Sequence, residues 1–392
     1  DDIDLVVYTA AVHTDNPEYA EVVRRGIPMM TRAELLGQIM KNYGEAIAIS
    51  GTHGKTTTTS MVTEILLAAE KDPTISVGGI LHSIGGNIRV GGPELFVTEA
   101  CEYTNSFLSF FPTMEIILNI EADHLDFFKD LDDIRHSFRL FAEKLDEKGL
   151  LIINRDIKNY EEISGGLPCR VVTFGHSSES DYSVTDITYD AFARPTFTLT
   201  EQGKKAGTIT LGVPGEHNVY NALAAIATAK ALGIPDTAIA EGLLHFTGTD
   251  RRFEKKGELN GITIIDDYAH HPQEIAATLA AAKNYPHREI WCVFQPHTYT
   301  RTKALMEDFA KALSTADHVV LADIYAARET DNLGISSGTL AEKIAALGTD
   351  THYFPSFDAI ETFLLENCVN GDLLITMGAG DIVKVGEKLL GQ

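Results

Sequence analysis

The sequence predicts an α/β fold in three successive parts, and three observations carry that expectation. Short apolar runs alternate with helix-period segments along most of the chain. The stretch "ISGTHGKTTTTSMV", residues 49–62, joins a buried strand to a helix through a polar, glycine-bearing loop. Polar clusters follow several of the apolar runs, where an open parallel sheet places its ligands.

The first part, residues 1–44, reads as a βαβα series. "IDLVVYTAAV" (3–12) has the apolar density of a strand, and "NPEYAEVVRRG" is a helix with Pro17 in its first turn and Gly26 at its end. "IPMM" is a second strand and "TRAELLGQIMKNYG" a second helix. So short a segment is too small for a whole doubly wound domain, so it reads as the tail of one whose beginning lies before Asp1.

The second part, residues 45–246, has strands at "AIAIS", "LFVTEA", "MEIILNI" and "GLLIIN". Residues 170–213 then alternate apolar and polar positions between turn residues, the pattern of a β-rich insert forming an antiparallel side sheet. "HNVYNALAAIATAKALG" follows as a helix whose alanines permit close packing. The third part, residues 247–392, alternates again, with strands in "GITIIDDYA", "REIWCVFQP", "DHVVLADIY", "THYFPS" and "DLLITMGAG".

Composition narrows the function. Hydrophobic residues make up 44% of the 392 and charged residues 22%, enough apolar surface for two or three cores and against bulk disorder. The formal net charge of −24, with no basic stripe, disfavours nucleic acid and anionic membranes as partners. No apolar run approaches a membrane span. Cys101, Cys169, Cys292 and Cys368 are widely separated, which argues against a zinc ribbon or disulfide framework and for a reducing cytoplasm.

The loop Gly51-Thr52-His53-Gly54-Lys55-Thr56-Thr57 is the first chemical candidate. A glycine-rich turn opening a helix aims backbone N–H groups at one point, where the helix terminus also favours negative charge. Lys55 would reach the β/γ-phosphates of a nucleotide, and the Thr56 hydroxyl would ligate Mg²⁺. The common P-loop spelling has four residues between its glycines and this one has two, so a purely structural turn is the alternative.

Three further clusters sit at strand ends. "FVTEACEYTNSF" delivers Glu99 and Glu102 towards the metal that Thr56 would hold, or onto a solvated surface. "IILNIEADHLDFF" carries Asn119, Glu121, Asp123, His124 and Asp126, a hard-oxygen set with one imidazole that suits Mg²⁺ or, alternatively, a helix cap with Asp123. "DDYAHHPQE" places Asp266, Asp267, His270 and His271 before Pro272; without a cysteine pair or H-E-x-x-H this favours substrate or nucleotide contact over zinc. In "QPHTYTRT", His297 and Arg301 offer donors to a carboxylate or phosphate, and Gly378 and Gly380 permit close backbone approach.

Together "GTHGKTTTT", "NIEADHLD", "PGEHNVYNALAA", "DDYAHHPQE", "QPHTYTRT", "DIYAARE" and "GAGDIVKVGE" resemble, in order and spacing and over nearly the whole chain, the Mur ligases, the ATP-dependent amide ligases of peptidoglycan precursor synthesis. That family spells its phosphate loop with the same short glycine spacing. The resemblance implies a three-domain Mur ligase architecture: a partial N-terminal Rossmann-like UDP-sugar domain, a central P-loop ATPase domain and a C-terminal Rossmann-like domain. It implies ATP and Mg²⁺ as cofactors, UDP-N-acetylmuramate and L-alanine as substrates joined through an acyl phosphate, and a cytoplasmic monomer or homodimer.

Carried over by motif, Lys55 and Thr56 match the phosphate and Mg²⁺ residues, Glu99 a metal ligand and His124 a second-metal ligand. Asn218 matches an adenine contact, Arg252 a nucleotide-phosphate contact and Asp267 a ribose contact. His270, His271, His297 and Arg301 fall where the amino acid and the reacting groups meet, with Arg328 on the substrate side. The chain departs from the pattern at Cys101, at Thr298 where many relatives carry arginine, and at Phe138-Arg139 near a lysine that later-acting relatives carbamylate, so no carbamylation is expected. The family's glycine-rich turn for the UDP diphosphate would precede Asp1. A recycling ligase that attaches a ready-made peptide, and a P-loop switch, are the competing readings.

Overall fold

A computed structural model describes residues 2–9, 12–125 and 127–392. The chain forms two compact units, one of residues 1–183, 200–205 and 221–242, the other of residues 184–199, 206–220 and 243–392.

The first unit begins with β1 (Val6–Tyr8), α1 (Pro17–Arg25), β2 (Met29–Thr31) and α2 (Arg32–Met40). The Asn16 side chain accepts from the N–H groups of Glu18 and Tyr19 to start α1, and Gly26 ends it in the left-handed region. Thr31 and Glu34 form a reciprocal capping box that starts α2. The strand expected over 3–12 is shorter: only Val6–Tyr8 pairs, in parallel with Met29–Thr31, and Ile3 and Leu5 are 58% and 43% exposed. Apolar density promised a buried strand, but β1 has a single neighbour to pair with. Ala10 and Ala11 lie outside the described residues.

The main sheet follows with β3 (Glu45–Ser50), α3 (Lys55–Ala68), β4 (Thr74–Leu81), β5 (Gly86–Arg89), β6 (Leu95–Ala100), β7 (Met114–Ile117), α4 (Leu131–Ala142), β8 (Leu150–Asn154), the single turn α5 (Glu161–Ser164) and β9 (Arg170–Phe174). β10 (Tyr182–Tyr189), β11 (Pro195–Glu201) and β12 (Lys204–Thr210) complete a ten-stranded order β12-β11-β10-β9-β8-β7-β3-β6-β4-β5. The insert therefore does not stand apart as a side sheet. Its first strand, β9, runs parallel to β8, and the later strands extend the same edge. Alternation reports a half-buried strand; it does not report which sheet the strand joins.

Strand β3 is flanked by parallel β6 on one side and parallel β7 on the other. Its carboxyl end is thus a point where the order reverses, which positions the loop 51–54 between two strand ends. Beneath the sheet, Phe107 stacks on Phe141 at 4.4 Å and meets Phe138 edge-on, within a core that also takes Met40 and Ile153. Helices α6 (His217–Ala231) and α7 (Asp236–His245) follow, and alanines 222, 224 and 225 are fully buried in α6.

The second unit contains β13 (Glu254–Leu259), β14 (Ile262–Asp267), α8 (Pro272–Lys283), β15 (Ile290–Phe294), α9 (Tyr299–Ala304), α10 (Met306–Leu313), β16 (His318–Leu321), α11 (Ser337–Ala346), β17 (Asp350–Tyr353), α12 (Phe357–Asn367), β18 (Leu373–Met377) and α13 (Val383–Leu389). The six-stranded order is β13-β14-β18-β15-β16-β17, with β13 antiparallel and the others parallel. Side chains alternate between two cores: Ile265, Cys292, Phe294 and Ile375 face one, and Ile264, Trp291, Val293 and Leu374 the other. Burial on both faces explains why these strands read as continuous apolar runs. Register aligns Asp267, Met377, Phe294, Leu321 and Tyr353 in one row, so the residues that follow them gather at one carboxyl edge. Among the described residues no helix is long and apolar enough to cross a membrane.

Candidate functional site

In the first unit the loop after β3 is pinned to the end of β7. The Asn119 amide accepts from the His53 N–H at 2.8 Å and donates to the His53 carbonyl at 3.0 Å, while Thr52 Oγ1 accepts from the Glu121 N–H at 2.9 Å. Gly51 and Gly54 have φ of +142° and +84°, and a Cβ on them would lie 2.9 Å from Leu118 Cβ and 2.5 Å from Asn221 Oδ1. Only glycine fits either position without strain. Gly54 supplies no side-chain cap, so the first turn of α3, with Thr56 and Thr57 half-buried, has no side-chain acceptor at its Gly54 cap. A helix start of this kind is able to cradle an anion with its backbone N–H groups.

Lys55 lies inside the cradle. Its Nζ donates to the carbonyls of Gly51 at 2.5 Å and Thr52 at 3.2 Å and pairs with Glu102 at 3.1 Å. Burial works against its charge, but the Glu102 carboxylate, with lesser help from Cys101 and Glu99, raises the pKa above the ordinary lysine value. The sequence directs Glu102, three residues after Glu99, towards a metal or a solvated surface; the structure buries it beside Lys55. Glu99 itself turns to β4, where Oε1 accepts from the Gly78 N–H at 2.5 Å. His124, at φ +53°, stacks on Tyr103 at 4.6 Å and has Nε2 3.9 Å from Glu102 and 3.8 Å from Asp123. Asp123 does not cap the following helix; Asp130 does, accepting from the Asp133 N–H. Asp126 lies outside the described residues.

No group of three His, Cys, Asp or Glu side chains among the described residues is arranged to hold a metal unaided. Magnesium ordinarily takes one or two protein ligands with substrate phosphates completing its shell. A hydroxyl at Thr56 on the cradle and carboxylates at the end of β6 fit that donor set.

In the second unit Arg252 approaches Glu274 at 3.7 Å and lies over the Tyr268 ring at 5.5 Å. Asp267 is buried, accepting from the N–H groups of Phe253 and Ala269, each at 2.8 Å. Burial pushes its pKa up to about 6 despite the Arg252 charge and these two donors. The neighbouring Arg251, absent from the sequence-derived set, pairs with Asp266 at 2.9 Å and donates to the Gly378 carbonyl at 2.7 Å, tying β14 to the loop after β18.

The histidine pair divides. His270 Nδ1 faces the Tyr268 carbonyl at 3.0 Å, and its ring lies 5.9 Å from that of His297; His271 is buried and caps α8. His297 stacks on Tyr325, and its Nδ1 lies 3.2 Å from an Arg301 terminal nitrogen. Thr298 between them takes φ +66°, costly for a β-branched residue, and is held by a bond from its N–H to the Tyr325 carbonyl at 2.9 Å. Glu329 accepts from the N–H groups of Tyr299 and Thr300 and so clamps the start of α9; sequence reasoning passed over it in "DIYAARE". Arg328 is exposed. Asn218 Nδ2 donates to the Pro214 carbonyl at 2.7 Å, and burial, then the Arg252 charge, pushes the adjacent His217 down to about 4, partly opposed by Glu274.

A strand, a short glycine loop and a helix at a topological reversal define a P-loop α/β protein. Three family descriptions match consecutive segments: "Mur ligase family, catalytic domain" over residues 1–44, "Mur ligase middle domain" over 49–229 and "Mur ligase, glutamate ligase domain" over 251–380. The chain belongs to the Mur ligase family. It is 66% identical over 390 residues to the UDP-N-acetylmuramate–L-alanine ligase of Lachnospira eligens, covering 99% of this chain and 85% of that one, and 62% identical to the same-named protein of Agathobacter rectalis, covering 99% and 84%. Among solved structures, the UDP-N-acetylmuramate-alanine ligase of Thermotoga maritima matches with TM-score 0.84 at 30% identity, covering 100% of this chain and 85% of that one. A murein peptide ligase from Psychrobacter arcticus matches with TM-score 0.70 at 25% identity, covering 99% and 85%.

Proposed function

We infer that this chain is an ATP-dependent ligase joining L-alanine to the carboxylate of UDP-N-acetylmuramate, a step of peptidoglycan precursor synthesis. The observation that carries the reading is 66% identity along 99% of the chain to a ligase of that name. A carboxylate is a poor electrophile because its charge repels a nucleophile and it lacks a leaving group. Phosphorylation by ATP removes both obstacles, and the amine then displaces phosphate from the acyl phosphate.

The residues divide the work. The 51–57 loop cradles phosphates, with Lys55 placed to neutralise charge during transfer. Mg²⁺, when bound, supplies Lewis-acid stabilisation of the phosphates, and Thr56, Glu99 and His124 are the proposed ligands. Asn218, Arg252 and Asp267 are the proposed contacts to adenine, phosphate and ribose. His270, its ring 5.9 Å from that of His297, is the proposed catalytic imidazole at the reacting groups. His271 fixes the start of α8 beneath it, and His297, Arg301 and Arg328 are the proposed carboxylate-binding set. The proposed domains are residues 1–44, 45–246 and 247–392, in a cytoplasmic monomer or homodimer.

The test is phosphate release from ATP and Mg²⁺ with UDP-N-acetylmuramate, adding L-alanine, glycine, L-serine or a tripeptide in turn and weighing the products by mass spectrometry. Alanine-dependent product is expected. Turnover with the tripeptide but not with alanine would instead make this a peptide-recycling ligase.

A further inference from the structure

Lys55 has three N–H donors, and the structure directs them inward to Gly51 O, Thr52 O and the Glu102 carboxylate. The side chains of this ion pair are 16% and 2% exposed, so neither charge is compensated by bulk water. A lysine that neutralises nucleotide phosphates has to exchange some of these bonds for phosphate oxygens. Glu102 then remains buried without the lysine, with His124 Nε2 3.9 Å from its carboxylate.

We propose that Glu102 is a positioning residue that stands in for the nucleotide phosphate at Lys55, so that release of the lysine to phosphate is coupled to arrival of a cation at Glu102. The inference rests on the nucleotide reading of the loop and deepens it. Three features support it. The Glu102 backbone is fixed independently of its side chain, since its carbonyl accepts from the Asn105 N–H at 2.8 Å. The contact is direct, with Lys55 Nζ 3.1 Å from a Glu102 carboxyl oxygen. The loop carbonyls that share Lys55 belong to Gly51 and Thr52, so the placeholder also orders the cradle. Without the pair, the loop would enclose an uncompensated positive charge.

The consequence is a defined penalty on metal-free nucleotide. ATP alone takes Lys55 from Glu102 and strands a carboxylate; ATP with a divalent cation supplies the replacement charge. Calorimetric titration of ATP into the full chain, in EDTA and in Mg²⁺, separates the cases for the wild type, Glu102→Gln and Glu102→Asp. Glu102→Gln should bind metal-free ATP roughly tenfold or more tightly than the wild type, because nothing is stranded. The Mg²⁺-induced gain in affinity should shrink by a similar factor, and Glu102→Asp should retain most of that gain. Wild-type failure to bind ATP even with Mg²⁺ would defeat the nucleotide reading itself. Wild-type binding with equal or weaker metal-free affinity in Glu102→Gln would overturn the placeholder alone. If Glu102→Gln does not fold, the side-chain ammonium resonance of Lys55 in the nucleotide-free wild type, assigned by its loss in Lys55→Arg, decides. A slowly exchanging signal that moves on adding Mg²⁺ and ATP is expected, and a rapidly exchanging Lys55 overturns the proposal.

Discussion

Glu115 offers a sharp test of how burial controls this fold. It lies at the centre of β7, paired in register with Ala48 of β3 and Leu151 of β8, is 0% exposed, and neither carboxyl oxygen has a hydrogen-bond partner. Burial pushes its pKa well above the ordinary carboxylate value, with only the charge of Lys144 opposing. Folding therefore favours the protonated form of Glu115 to higher pH, whereas the unfolded chain ionises it above a pKa of about 4.3. Because the folded-state pKa is the higher one, the associated stability is fully present below the unfolded value and is lost as pH rises. Glu115→Met keeps the unbranched shape and removes the titration. It should stabilise the first unit by about 1–3 kcal/mol in acid, the cost of the unmade hydrogen bonds. The advantage then grows by about 1.4 kcal/mol for each pH unit above about 4.3, until the folded-state group itself ionises. The single tryptophan, Trp291, lies in the other unit and cannot report this. The assay is amide hydrogen exchange of β3 and β7, corrected for intrinsic rates, between about pH 5 and pH 7. A variant-to-wild-type difference that stays flat with pH would refute the assignment of a buried neutral acid.

Four other outcomes follow from the same geometry. Lys55→Met should lower product formation by about 10³-fold or more and cost the first unit about 3–5 kcal/mol by stranding Glu102; the Lys55→Met, Glu102→Gln pair should recover the stability, read by exchange, without the activity. Gly54→Ala places a Cβ 2.5 Å from Asn221 Oδ1 at φ +84°, so about 1–3 kcal/mol of ATP binding should be lost in calorimetry. Asp267, with a folded pKa of about 6 against an ordinary 3.8, should make the second unit lose stability as pH rises from about 3.8 to about 6, and Asp267→Asn should flatten that slope when urea unfolding is followed through Trp291. Glu329→Ala unclamps two N–H groups at the start of α9, so KM for L-alanine should rise about tenfold while KM for ATP holds.

The strands that build the two nucleotide-fold sheets were legible because burial on both faces demands unbroken apolar runs, as in β3, β15 and β18. β13 escaped notice for the converse reason: "EKKGEL" is polar, and it becomes a strand only because the edge of β14 is available to it. The same dependence on neighbours shortened β1 and drew the insert into the main sheet. Site residues on one continuous motif were readable from spacing alone, since the Gly51–Thr57 loop needs only its own strand and helix. The contacts of Asn119, read in the sequence only as part of a hard-oxygen set, and of Glu329 were not, because what they hold depends on which strand ends become neighbours. Asn119 reaches His53 because β7 lies beside β3, and Glu329 reaches Tyr299 because β16 lies beside β15.

Three glutamates within the same sheet show why residue type cannot assign a role. Glu99, near the end of β6, accepts from the Gly78 backbone; Glu102, beyond that strand end, meets a lysine; Glu115, inside β7, meets no hydrogen-bonding partner. All three have the same intrinsic acidity, so their difference lies wholly in what surrounds the carboxyl. A backbone N–H, a lysine and an apolar sheet interior surround them, respectively, and in the last of these burial pushes the carboxyl well above its ordinary pKa. The first two environments form only where the chain leaves the sheet and polar groups converge, whereas the third arises wherever a strand runs between two others. Polar contacts therefore collect at the carboxyl ends of β3, β6 and β7, while an identical side chain a few residues deeper contributes only a pH-dependent loss of stability.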